Sequence, residues 1–353
     1  MKRRTFIAGL GSAAAWPLAA RAQESMPLVG FLYLGNSFGI SLGSSLANLT
    51  AFRQGLAEAG FVEGKNVRFE FHGSAINGDL AALAVELVNK RLAVIVATGS
   101  PPAILAARAA TSTVPIVFAT ALDPLKYGFV TSLNRPLGNM TGVSLLGYEL
   151  VGKRLELLFE LAPQAKKVAY LSGPPAAPIF EDLRSRTVAA GQALGREILV
   201  LPIRSKLDLE SAFTTLVEQG AGAITVGTFT LLANFSDHII GLAARHKVPT
   251  IYPARFYSAA GGLMSYSVDF EDAIRQLGAQ FVGRILKGAK PSDLPVQQPT
   301  KFELVINLKT ARALGLTLKV PLIFRGNGVI KESWMRRFFA KRTRNEHQME
   351  ISA

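Results

Sequence analysis

Two short clusters in the first half of the chain carry residue types suited to gripping a small charged molecule. Thr98-Gly99-Ser100-Pro101 closes one apolar run and opens a helical stretch. Ser100 suits an N-cap and Pro101 the first helical position, so the free amides of that helix start point outward, where N–H donors and the helix dipole stabilise a carboxylate. The same four residues also describe an ordinary capped helix with no ligand. Thr120 and Asp123 lie just past the run Ile116-Val117-Phe118. Asp123 either offers its negative charge to an ammonium group or caps the turn that Pro124 begins. A site with one partner for each sign selects a zwitterion over a simple acid or a sugar, because burying either ligand charge unpaired is costly.

The second half offers Gly173, Thr228 and Tyr252 at the ends of its own apolar runs. Tyr252 supplies either a stacking face for an aromatic or aliphatic ligand or half-buried packing. Tyr266 and Ser267 stand where the chain is expected to cross between halves, touching ligand or only forming the hinge, and Phe38 is placed to cover the site. Signs of catalysis are missing: there is no P-loop, no G-x-S-x-G elbow and no zinc-ligand cluster. His72, His238, His246 and His347 are dispersed, and His238 and His246 stand two helical turns apart, too far to share one metal. With no cysteine in the chain, disulfides, thiolate metal sites, cysteine nucleophiles and a lipid-bearing cysteine are excluded. The expectation is a small-molecule binder with no catalytic residue, no cofactor and no metal.

These clusters need elements to hold them. From Leu28 onward, short aliphatic or β-branched runs alternate with amphipathic helical stretches, the pattern of an α/β fold with parallel sheets under helices. The order of elements also recurs. A strand at Val29-Gly30-Phe31-Leu32-Tyr33, a helix closed by Gly60 and a strand at 67–71 are matched by a strand at Val168-Ala169-Tyr170-Leu171-Ser172, a helix closed by Gly195 and a strand at 198–201. Segments 79–99 and 208–228 align residue on residue, Leu80 with Leu209, Leu87 with Leu216, Val88 with Val217 and Ile95 with Ile224. Each is a helix running into a strand, and Val114-Pro115-Ile116-Val117-Phe118 and Val248-Pro249-Thr250-Ile251-Tyr252 follow as a further matched pair. The chain thus encodes two Rossmann-like lobes. Ligands in such sheets collect beyond the carboxyl ends of the strands, so two facing lobes define a cleft that can close like a clamp.

The chain has 353 residues, 49% of them hydrophobic and 18% charged, enough for two domains each with its own core. Half of its net charge of +14 lies at the ends: Lys2, Arg3, Arg4 and Arg21 near the start, and a basic tail at 331–353. The remainder is scattered without a basic stripe or interleaved aromatics, which argues against nucleic acid as a partner. Residues 1–22 read as a signal peptide: a basic start, an apolar run over 6–20 and the small-x-small ending Ala20-Arg21-Ala22. Arg3-Arg4-Thr5-Phe6-Ile7 resembles the twin-arginine export motif. The apolar run is too short for a membrane span and is broken by Pro17. Gly9-Leu10-Gly11-Ser12-Ala13-Ala14 matches a dinucleotide fingerprint only formally, because no strand precedes it.

A family likeness covers nearly the whole chain after the leader. Phe52-Arg53-Gln54-Gly55-Leu56, Val62-Glu63-Gly64-Lys65-Asn66-Val67, Ser132-Leu133-Asn134-Arg135-Pro136, Asn139-Met140-Thr141-Gly142-Val143 and Lys153-Arg154-Leu155-Glu156-Leu157-Leu158 resemble the ABC transporter substrate-binding protein family. So do Ala259-Ala260-Gly261-Gly262-Leu263-Met264-Ser265-Tyr266 and Pro299-Thr300-Lys301-Phe302-Glu303-Leu304-Val305-Ile306-Asn307. The resemblance implies a type I periplasmic binding fold with a three-crossover hinge near 141–144, 265–267 and 300–304, related to members that take tryptophan or other aromatic amino acids. Lobe one would combine 27–142 with 268–300, and lobe two 143–267 with 301–330, leaving 331–353 as a basic extension. It further implies a periplasmic monomer, freed of its leader, that delivers an amino-acid-like ligand to ABC permease subunits in the inner membrane. A binder of small organic acids or other solutes, or a ligand sensor with no transport role, stands as the alternative. A sugar-repressor-like regulator uses the same lobes but needs a helix-turn-helix where this chain has its leader.

Overall fold

The computed structural model describes residues 26–34, 43–74, 79–98, 101–145, 147–177, 179–317 and 328–330. The leader, Phe38, Gly99, Ser100 and the tail at 331–353 lie outside the described residues. Two sheets organise the rest. The first contains β1 (Leu28–Leu34), β2 (Arg68–Ser74), β3 (Val94–Thr98), β4 (Ile116–Thr120) and β5 (Met140–Ser144), all parallel, in the order β2-β1-β3-β4-β5. Every residue of β3, β4 and β5 is buried, as expected of parallel strands covered on both faces. Three helices alternate with the first four strands: α1 (Gly43–Glu58), α2 (Leu80–Asn89) and α3 (Pro101–Ala110).

The second half repeats the plan. After α4 (Val151–Leu161) come β6 (Lys167–Ser172), α5 (Phe180–Ala193), β7 (Glu197–Pro202), α6 (Leu207–Glu218), β8 (Ala223–Val226), α7 (Thr230–Asn234), α8 (Ser236–Arg245), β9 (Thr250–Tyr252), α9 (Arg255–Ala259) and β10 (Met264–Val268). These strands lie in the order β7-β6-β8-β9-β10, the same as in the first sheet. β11 (Phe302–Asn307) adds on beside β10 in the antiparallel sense, and β12 (Gly328–Ile330) pairs with β11. Gly60 at φ +92° and Gly195 at φ +67° follow the equivalent helices α1 and α5 in the left-handed region, where glycine alone is unstrained. The aligned aspartates serve different ends: Asp79 caps α2 by accepting from the Ala82 amide at 3.0 Å, while Asp208 sits inside α6 and takes the amides of Arg204 and Ser205 at 2.7 and 3.0 Å.

Three crossings join the lobes. β5 lies wholly in the first sheet, so the chain leaves that layer after Ser144 and not at 142. β10 likewise keeps Ser265 and Ser267 within the second sheet, which moves the second crossing beyond Val268. From there α10 (Phe270–Gln276), a π-helical turn (Leu277–Val282) and α11 (Gly283–Leu286) pack back onto α1. The segment then runs beside β5, where Ser144 N donates to Gln297 O at 2.9 Å and Gln297 N to Gly142 O at 3.0 Å. It returns to the second lobe through Lys301, whose carbonyl accepts from Asp269 N at 2.9 Å, into β11; α12 (Leu308–Ala313) follows.

The return helices cross α1 at unusually close range. A Cβ on Gly55 would lie 1.9 Å from the Arg275 carbonyl oxygen, and one on Gly278 would lie 2.5 Å from the Phe52 carbonyl oxygen. Backbone sits where side chains would otherwise stand, and neither partner can move without its helix. Gly55→Ala is expected to lower the unfolding free energy by about 1–3 kcal/mol through overpacking. Gly241→Ala, on α8 with nothing within 4 Å of its added methyl, is expected to be neutral or stabilising by up to about 1 kcal/mol. Urea unfolding of the two variants beside the parent checks both.

Candidate ligand-binding cleft

The carboxyl ends of β3 and β4 form one wall. The Thr98 side chain is buried, and its Oγ1 has no hydrogen-bond partner among the described residues. The Thr120 hydroxyl accepts from Leu122 N at 3.0 Å, fixing the exit of β4. Asp123 is half-buried; its Oδ1 accepts from the amides of Leu125 and Lys126 at 2.9 and 3.2 Å, so it caps the turn that follows. That bonding uses Oδ1 alone.

The opposite wall comes from the ends of β6, β8 and β9 and from the first crossing. Gly173 follows β6, and a Cβ there would lie 2.2 Å from the Phe229 ring, so glycine lets the ring lie against the backbone. A Cβ on Gly147 would lie 2.7 Å from Ala121 Cβ and 3.6 Å from Thr228 Cγ2. The exit of β4 and Thr228 therefore approach each other on either side of Gly147. Behind Thr228 sits Arg154, only 3% exposed. Its Nε donates to Tyr266 O at 2.8 Å, Nη1 to Gly147 O at 3.1 Å and to Thr228 Oγ1 at 3.4 Å, and Nη2 to Pro253 O at 3.5 Å. Burial pulls its pKa down to about 10, which leaves it protonated at neutral pH.

Thr228 and the carbonyl of Tyr266 are thus gathered around one guanidinium, while Thr98, Thr120 and Asp123 belong to the facing wall. Other expected residues stand elsewhere. Tyr252 is 1% exposed, its ring 4.8 Å from that of Tyr257, and burial pushes its phenol pKa upward. The face expected to meet a ligand is taken by Tyr257, because strand alternation turns Tyr252 toward the core shared with Ile239 and Leu242 of α8. The Tyr266 ring stacks 6.2 Å from Phe302 within the second sheet, and Ser267 pairs opposite Glu303. Arg154 appeared in the sequence only as part of a family motif. The signal was present in α4, where position 154 shares a face with Val151, Leu155, Leu158 and Leu161, so a charge interrupts an otherwise apolar stripe.

Away from the crossings, where Lys301 also pairs with Asp272 at 3.0 Å, an ion pair among the described residues spans the two lobes. Lys126 Nζ, beyond β4, lies 2.7 Å from Asp182 Oδ1 on α5, and Arg186 Nε lies 3.3 Å from the same oxygen. Burial works to raise the Asp182 pKa, but hydrogen bonds from Lys126 and Arg186 outweigh it and hold the carboxyl below its ordinary 3.8. Among the described residues no three His, Cys, Asp or Glu side chains are grouped to hold a metal, and no helix is long and apolar enough to cross a membrane.

Two lobes of one repeated α/β plan, three crossings and a cleft at the facing strand ends define the type I periplasmic binding protein class. The chain belongs to the ABC transporter substrate binding protein family, matching it over residues 39–329. It is 26% identical over 266 residues to a tyrosine-binding protein of Clostridioides difficile (strain R20291), covering 75% of each chain. Among solved structures it is similar to a conserved domain protein of Vibrio cholerae, with a TM-score of 0.75 and 26% identity over 86% of this chain and 99% of that one. It is equally similar to an ABC domain from Streptococcus pneumoniae in complex with L-Trp, with a TM-score of 0.75 and 25% identity over 87% of this chain and 100% of the other.

The Lys126–Asp182 pair ties the lobes only when they are together, so Asp182→Asn is expected to weaken ligand capture by up to about fivefold, the upper range of a partly exposed ion pair. Parent and variant should converge in molar salt, where screening removes the tie. A carboxyl with a depressed pKa contributes above its ordinary value and loses that contribution as pH falls through the depressed one, so the parent's advantage should hold down to the ordinary 3.8 and vanish only once the pH has fallen through the depressed value. Calorimetric titration of both proteins across salt and pH checks this.

Proposed function

We propose that this protein is the periplasmic solute-binding component of an ABC importer and that it captures an amino-acid-like ligand, an aromatic amino acid, in the cleft between its lobes, with no catalytic step. The observation that carries this reading is the pairing of opposite charges across the cleft: a buried cation behind Thr228 on one wall and the Asp123 carboxylate on the other. A zwitterion satisfies both. The ligands of the relatives, tyrosine in one and L-Trp in the other, point the same way. The leader-like 1–22 supports delivery to the periplasm, where such a protein meets permease subunits in the inner membrane.

The reading is tested by a thermal-shift panel of tryptophan, tyrosine, phenylalanine, aliphatic amino acids, sugars and dicarboxylates. A ligand at 100 times its dissociation constant adds about 2.7 kcal/mol of stability, a readily visible shift. Aromatic amino acids are expected to lead the panel; a sugar in first place would end the proposal. Asp123→Asn keeps the Oδ1 cap while removing the charge, and should weaken amino-acid binding by about 1–2 kcal/mol, less than a fully buried pair because Asp123 is half-exposed. Unchanged affinity by calorimetry would reduce Asp123 to a turn cap. Export is checked separately: replacing Arg3-Arg4 by Lys-Lys should leave precursor in the cytoplasm, and normal periplasmic yield would remove the twin-arginine route.

A further inference from the structure

We infer that Arg154 and Thr228 together form the anion-recognition element of the cleft, in which the Thr228 hydroxyl, polarised by the guanidinium behind it, donates to a carboxylate of the bound ligand. The inference rests on the reading of the cleft as the binding site and gives that site its chemical selectivity.

Arg154 donates to four acceptors, and all are neutral: the carbonyls of Tyr266, Gly147 and Pro253 and the hydroxyl of Thr228. None of the ion pairs among the described residues includes it, although it is 3% exposed. A full charge withdrawn from water and met only by dipoles is expensive, and an anion arriving nearby relieves that cost. The helix that carries it could have placed an apolar residue there, since its neighbours Val151, Leu155 and Leu158 are buried.

Thr228 is the one acceptor of the four with a proton of its own. Because its Oγ1 accepts from Nη1 of Arg154, the hydroxyl proton is directed away from the guanidinium. Thr228 is half-buried and follows the carboxyl end of β8, so that direction leads into the cleft. The lobe-one segment at Ala121 reaches the same place from the other side, across Gly147. A hydroxyl polarised by a cation is a strong donor, and an ionised acceptor gains more from it than a neutral one. The three carbonyl contacts keep the guanidinium in place while the hydroxyl meets the ligand, so recognition needs no movement of the buried charge.

The test uses three matched probes: L-tryptophan, indole-3-propionate, which keeps the carboxylate without the amine, and tryptamine, which keeps the amine without the carboxylate. Thr228→Val removes the hydroxyl at nearly constant shape, and Thr228→Ser restores it. By calorimetry the parent should bind both carboxylates at least about tenfold more tightly than tryptamine, the range of a hydrogen bond to a charged group. Thr228→Val should lose about tenfold or more for the two carboxylates and nothing for tryptamine, and Thr228→Ser should recover most of the loss. Parent that binds tryptamine as well as tryptophan, or a valine variant that holds carboxylates as tightly as the parent, overturns the inference. If no indole compound binds but an aliphatic carboxylate does, and Thr228→Val weakens it, the aromatic reading falls while the anion element stands. If the best ligand of a broad panel carries no anionic group, the anion element falls.

Discussion

The guanidinium of Arg154 reaches from α4 to the first crossing at Gly147, to the segment after β9 at Pro253 and to β10 at Tyr266. The first of these stretches is about a hundred residues from the other two, and all three meet on the side of the second lobe that faces the first. Their carbonyls would otherwise be buried acceptors left to find separate donors, at a cost of about 1–3 kcal/mol each if unmet. One planar fork satisfies them together with the Thr228 hydroxyl, four acceptors where a lysine has three donors and an arginine five. The shape of that cleft wall, the path of the first crossing and the setting of Thr228 all follow from this one residue's position on α4.

Beyond that point, the architecture leaves few places for a ligand. Parallel strands buried on both faces, as in β3 and β4, present no free surface except at their ends. The two sheets carry the same strand order and approach each other at those ends, so the exits of β4 and β8 become neighbours. The Lys126–Asp182 pair adds an attraction at the rim that is weak enough to open. A binding protein must release what it captures, and a modest rim contact beside a rigid floor allows that.

Most of the fold was legible in the sequence because its signals are local. Strands such as Ala223–Val226 are uninterrupted apolar runs, helices end at glycines that the structure shows in the left-handed region, and the second half repeats the first at aligned positions. The cleft was less legible for reasons that are equally physical. Tyr252 ends a strand, as a ligand-facing residue would, but the side to which its ring turns depends on pleat phase, and Tyr257 from the next helix covers it. The limits of β5 and β10 are set by pairing with distant segments, Gln297 and Phe302 among them, and no local pattern announces those partners. Arg154 was visible as a charge on an apolar stripe, yet its worth lies in carbonyls 7 to 112 residues away.

The return of α10, the π-helical turn and α11 to α1 has a consequence for the newborn chain. The apolar side of α1, with Phe52 and Leu56, is covered by Leu277 and Phe281, which a ribosome adds more than 200 residues later. In the meantime every strand of the second lobe up to β10 has been made, so that lobe can assemble its sheet while the first still lacks its cover. The first lobe, although begun earlier, therefore stays uncovered until the second lobe's strands through β10 have been made, and a chaperone that guards α1 during synthesis would be guarding the surface that the close glycine crossing eventually seals.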